Sequence, residues 1–145
     1  MKKFETEMLN LTYECLTRYW QKDYKFVISY CAKEVIWCGA RQDEFMLSRE
    51  VVEDDFRTNA KEIPPCHLLN AEFLAKSNAS LCVITGNYRV VTDESADFFL
   101  QAQQRCTFVW EKTKKAIFVP LYLLLFHNNC IVSGFCCKIY MYTMK

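Results

Sequence analysis

Glycine is scarce in this chain: its 145 residues hold three, Gly39, Gly86 and Gly134, set far apart. A loop that cradles phosphate needs glycines close together so that backbone amides can approach the anion. Nucleotide-dependent chemistry is therefore excluded. A charge excess is missing too, with 18 Lys and Arg against 17 Asp and Glu. That balance leaves no overall field to draw the chain onto nucleic acid or an anionic membrane, so neither is expected as a partner. The 9 cysteines lack C-x-x-C spacing, since Cys136 and Cys137 are adjacent and the others scattered. This argues against a structural zinc site, and no metal or other cofactor is expected. After Met1-Lys2-Lys3 comes a mixed, charged stretch where a signal peptide would be apolar. With the odd cysteine number, this predicts reduced thiols in a cytoplasmic protein.

What the chain does have is apolar and aromatic material, 52% and 15% of its residues. That suffices for one core with aromatics to spare for a cavity, in a length typical of one domain. Phe4, Met8, Leu11, Cys15 and Tyr19 recur every three or four positions, which predicts a long amphipathic helix from Phe4 to Trp20. Asp23 is placed to cap a short second helix carrying Phe26, Val27 and Tyr30. Val35 to Cys38 reads as a brief strand ending at Gly39. Ser48 caps a third helix, with Val51, Val52 and Phe56 on its apolar side, that must stop before Ile63-Pro64-Pro65. Four strands follow, at Cys66 to Lys76, Ser80 to Thr92, Phe98 to Lys112 and Ala116 to Phe126, separated by short polar breaks. Helices first and a meander afterwards predict an α+β domain with the helices on one face of a largely antiparallel sheet. Gly86, inside a strand, suggests a bulge or bend. The polar segment Gly39 to Ser48 is the expected mobile flap.

The order of these elements, with Tyr19-Trp20 closing the first helix, Asp23 opening the second, Val35-Ile36-Trp37-Cys38-Gly39 and Arg105-Cys106-Thr107-Phe108-Val109-Trp110 late in the sheet, resembles the nuclear transport factor 2-like superfamily. Its SnoaL-like and ketosteroid isomerase-like bacterial branch is the most similar. The resemblance implies a cone-shaped curved sheet wrapped around three helices, a cystatin-like roll, over residues 1–127. It also implies an apolar pocket at the open end and a homodimer formed through the sheet. It departs from the pattern twice. The isomerase branch has a carboxylate base near the end of the first strand, where this chain has Trp37 and Cys38, so proton abstraction lacks its base. Residues 128–145 form an atypical tail without one Asp or Glu, expected to be a diverged or frameshifted terminus.

Ala116 to Cys137 carries no formal charge, over about the length that spans a bilayer. Pro120 and His127-Asn128-Asn129 interrupt it, so a buried strand is expected and a membrane is not. The candidate ligand-binding residues are Tyr19, Trp37, His67 and Arg105. Tyr19 and Trp37, with Trp20 and Tyr30, would wall an aromatic pocket. Arg105 would grip a carboxylate or carbonyl if its face of the strand is the inner one, and would be a surface residue otherwise. His67 cannot pair with its neighbour Cys66, because adjacent strand residues point apart. Cys38 is expected to be a buried, inert thiol. The leading expectation is a non-catalytic domain that binds a small apolar or acidic organic ligand. The alternatives are an isomerase, cyclase or dehydratase using Arg105, Tyr19 or His67, and a dimerisation module without a ligand.

Overall fold

Apolar spacing sets the first helix, α1 (Lys3–Trp20), which buries Met8, Cys15, Leu16 and Trp20 along one side together with Thr12. Its end is a turn in which Lys22 takes a left-handed φ of 68°. The carboxylate of Asp23 then accepts the Phe26 N–H at 3.4 Å and starts α2 (Tyr24–Tyr30), the cap expected from the sequence. Ser48 Oγ likewise accepts the Val51 N–H at 3.3 Å at the start of α3 (Arg49–Asn59). The strands are β1 (Ile36–Cys38), β2 (Phe45–Met46), β3 (Cys66–Ser77), β4 (Leu81–Thr92), β5 (Leu100–Lys112) and β6 (Phe118–Val132). The computed structural model describes residues 2–39, 44–59, 64–94, 96, 99–112 and 118–132.

All six strands form one sheet in the order β2-β1-β6-β5-β4-β3. The meander from β3 to β6 is antiparallel, and β1 adds to β6 in parallel. Along β5 the inner positions Leu100, Ala102, Gln104, Cys106, Phe108 and Trp110 are buried, and their alternates are more exposed. This is the period-two signature of a sheet packed on one face. The inner face and the helices share one core that runs from Met8 and Leu16 to Ile84, Tyr88 and Phe108. Three helices on the inner face of an irregular, mainly antiparallel sheet give the α+β cystatin-like roll that the sequence predicts.

Three details differ from the sequence expectations. In the segment Gly39 to Ser48, expected as a flap, Phe45 and Met46 pair with Cys38 and Trp37, and residues 40–43 lie outside the described residues. Gly86 is not at a bulge in β4. It lies opposite Phe73, and a Cβ there would overlap the Glu72 carbonyl and the Phe73 ring. The irregularity is on β3, between Leu69 and Glu72, where Asn70 adopts a φ of 51°. Pairing in β6 continues to Val132, opposite Leu100, past Phe126, where the last strand was expected to end. The remaining tail, residues 133–145, lies outside the described residues. Within the uncharged run, Phe118–Val132 is a strand, and among the described residues no helix is long and apolar enough to cross a membrane. Pro120 fits here because it precedes the first β1 pair, at Tyr122, and sits at a register shift against β5.

Candidate functional site

The end of α1, the start of α2, β1 and α3 bring four aromatic rings together. Tyr19 lies 5.7 Å from Trp37, 5.5 Å from Phe56 and 5.8 Å from Tyr24 between ring centroids. Phe56 stands 4.8 Å from Trp37 at 82° and 4.7 Å from Tyr24. These are the offset and edge-to-face distances at which ring quadrupoles attract. The Tyr24 hydroxyl is pushed up to about 12, first by burial and then by the nearby Asp55 carboxylate. It stays protonated at neutral pH.

The three tryptophans differ in one respect. Trp110 donates its indole N–H to Thr12 Oγ1 at 2.8 Å, and Trp20 donates to the Tyr88 hydroxyl at 3.4 Å. Trp37 is 1% exposed, and its Nε1 has no acceptor among the described residues. A buried donor normally finds a partner, so this one calls for an acceptor that the described residues do not supply.

Beyond this cluster a polar row crosses the inner face. Tyr88 on β4 is in register with Gln104 on β5, and both are fully buried. Burial, reinforced by the neighbouring Cys106, holds the Tyr88 hydroxyl far above its ordinary value. The register sets His127 of β6 opposite Gln104. Sequence reading missed Tyr88 and Gln104, although a signal existed. Gln104 has the same strand parity as Cys106, Phe108 and Trp110, and a polar residue on a core face calls for an explanation.

Of the four residues singled out from the sequence, Tyr19 and Trp37 meet and the other two do not join them. Arg105 is exposed on the outer face, in register with Asn87 and Phe126, because its neighbours Gln104 and Cys106 take the inner parity. The guanidinium therefore cannot serve an inner cavity. His67 is also outside, with Nδ1 3.1 Å from Asp93 Oδ1 and its side chain 47% exposed. Cys66, one residue earlier, is buried on the opposite face. Burial pushes the Cys38 thiol up, away from the thiolate a nucleophile requires. The end of β1 bears no carboxylate of its own, but Gly39 donates its N–H to the Glu44 carbonyl at 2.8 Å and so brings Glu44 alongside.

No protein-family model matches the chain, and no curated protein matches it by sequence. Solved structures do match. An NTF2-like protein of unknown function from Pseudomonas putida KT2440 is 14% identical, with a TM-score of 0.71 over 84% of each chain. A protein of unknown function with a cystatin-like fold from Nostoc punctiforme is 11% identical, with a TM-score of 0.65 over 87% of this chain and 90% of that one. The CamKII hub homology domain of Chlamydamonas reinhardtii is 17% identical, with a TM-score of 0.65 over 88% of this chain and all of that one. The chain has the NTF2-like fold, and at such identities the likeness is one of fold.

Proposed function

We propose that this chain is a small-molecule-binding domain whose ligand sits on the inner side of the sheet beside β1 and accepts a hydrogen bond from Trp37. The observation that carries this reading is the buried Trp37 N–H without an acceptor among the described residues. Leaving a buried donor unpaired costs about 1–3 kcal/mol, and the same core satisfies both other indoles. An oxygen from a bound molecule would recover that cost. A ring face is a second-order partner for an N–H, so Phe56 does not replace it. Tyr19, Tyr24 and Phe56 supply the apolar wall that such a ligand needs. The enzymatic alternative has less support, because His67 and Arg105 lie outside.

Native mass spectrometry of the purified chain tests the reading. A retained compound bearing an oxygen acceptor is expected, and Trp37→Phe, which keeps a ring but removes the donor, should release it. Retention that is indifferent to this substitution would overturn the assignment.

A second observation supports self-association. The outer face exposes Leu69, Leu74 and Val83 around a polar centre in which Thr85 and Thr107 hydroxyls meet at 3.1 Å. We infer that two copies pair through this face, as the hub-domain likeness would suit.

A further inference from the structure

β3 is an edge of the sheet: β4 pairs with one side of it, and among the described residues no strand pairs with the other. An edge presents unpaired N–H and C=O groups, a template that a further strand can complete. The regular stretch of this edge is bounded at both ends. The register shift between Leu69 and Glu72, with Asn70 at a φ of 51°, interrupts it on one side, and the Asn78 turn ends it on the other. Between them Glu72, Leu74 and Lys76 are exposed on the outer face, and Phe73 and Ala75 alternate with them, half-buried. Leu74, 73% exposed, is the most exposed large apolar side chain among the described residues. On the inner side Phe73 meets the exposed Tyr13 of α1 at 6.4 Å, so the edge is apolar there as well. The two charges lack a partner within the ladder. Opposite them on β4 stand Asn87 and Val83, and they lie about 14 Å apart along β3, too far to pair with each other.

We propose that this edge binds a second copy of the chain, β3 against β3, antiparallel and centred on Leu74. In that register Leu74 of one copy meets Leu74 of the other. Glu72 of each copy faces Lys76 of the other, so both charges gain the partner that their own sheet does not supply. Phe73 falls opposite Ala75, a large ring against a methyl group. The stretch is therefore its own complement, as a two-fold contact requires. Directly opposed side chains are close enough for opposite charges to attract and like charges to repel. Charges on an edge strand also serve as guards against pairing. What distinguishes this pair is its sign and placement, one acid and one base two residues either side of the exposed leucine. The contact joins two sheets edge to edge, and it does not depend on the face-to-face pairing inferred above.

Charge reversal and cross-linking of the full chain test this contact. Sedimentation over a concentration series should show self-association that Glu72→Lys weakens about tenfold or more, because two attractive pairs become two like-charged ones. Glu72→Lys combined with Lys76→Glu should restore it. Both side chains are exposed, so neither change threatens the core. Cysteines read the register, since opposed Cα atoms of an antiparallel pair stand about 4.5–5.5 Å apart, within reach of a disulfide. A mixture of Glu72→Cys and Lys76→Cys chains, oxidised by dioxygen, should give the mixed disulfide dimer. Neither variant alone should link to itself more than the unsubstituted chain does, whose Cys15, Cys31, Cys66, Cys82 and Cys106 are buried. Self-association that Glu72→Lys leaves unchanged or strengthens, as guard charges would have it, overturns the proposal. So does a reversal that the second substitution fails to rescue, or a mixture without the mixed disulfide. Association that persists through those failures leaves face-to-face pairing standing, and a chain that is monomeric at every concentration overturns both contacts.

Discussion

Thr12 is a small polar residue in an apolar helix face, and its burial makes sense only through Trp110. Replacing it with valine keeps the shape and strands a buried indole N–H, so Thr12→Val should cost about 1–3 kcal/mol in urea unfolding. Trp37→Phe loses no hydrogen bond within the described chain. In the ligand-free protein it should cost less than Thr12→Val, even though both residues are buried in one core. The thiols give a pH prediction. Burial raises Cys31 and Cys106 from 9.0 to about 12, and Cys66 to about 11. The folded chain then holds protons that the unfolded chain gives up. This stabilisation is complete below pH 9.0 and declines as pH rises towards about 12. The urea midpoint should fall over that alkaline window, and these thiols should react with a disulfide reagent at neutral pH only after unfolding. At this scale the sequence showed residue types well and directions poorly. Tyr19 and Trp37 were legible as inward-facing aromatics because helix and strand periods both turn them to the core, where their rings meet. Arg105 was legible only as one of two parities, and the deciding neighbour, Gln104, is itself polar.

Elements were legible where a local rule fixes them. The Asp23 and Ser48 caps, the apolar stripe of α1 and the Asn78 turn, whose side chain accepts the Leu81 N–H at 2.8 Å, all depend on residues close in sequence. β2 was not legible, because two residues carry no period and are fixed by pairing with β1. Gly86 was legible as a special position in its strand, though not for the contact that requires it. What requires it is the approach of β3, a contact made by a different strand. Gly86→Ala should therefore destabilise by about 1–3 kcal/mol, as overpacking does, with a visible loss in thermal midpoint. A glycine needed only for a bulge would show its penalty through backbone conformation instead, and φ at Gly86 is not in the left-handed range.

At the scale of the whole molecule, the order of helices and strands was enough to identify the roll, because a meander of long strands behind three helices has few ways to bury one face. The sheet order was not written in that pattern: the parallel joining of β1 to β6 is a long-range choice. The outer face yields an assembly prediction. Leu74, 73% exposed, should be central to self-association. Leu74→Lys should convert a dimer to a monomer in light scattering while leaving the Trp37 environment unchanged. The Trp37 N–H is tested most directly by a nitrogen-15 correlation spectrum of the indole N–H groups during titration with para-ethylanisole, a neutral aromatic ether. The account predicts that one of the three indole signals, the one absent from Trp37→Phe, moves downfield as its proton gains an oxygen acceptor. A Trp37 signal that stays in place while the compound binds elsewhere, or through saturating additions, would contradict it.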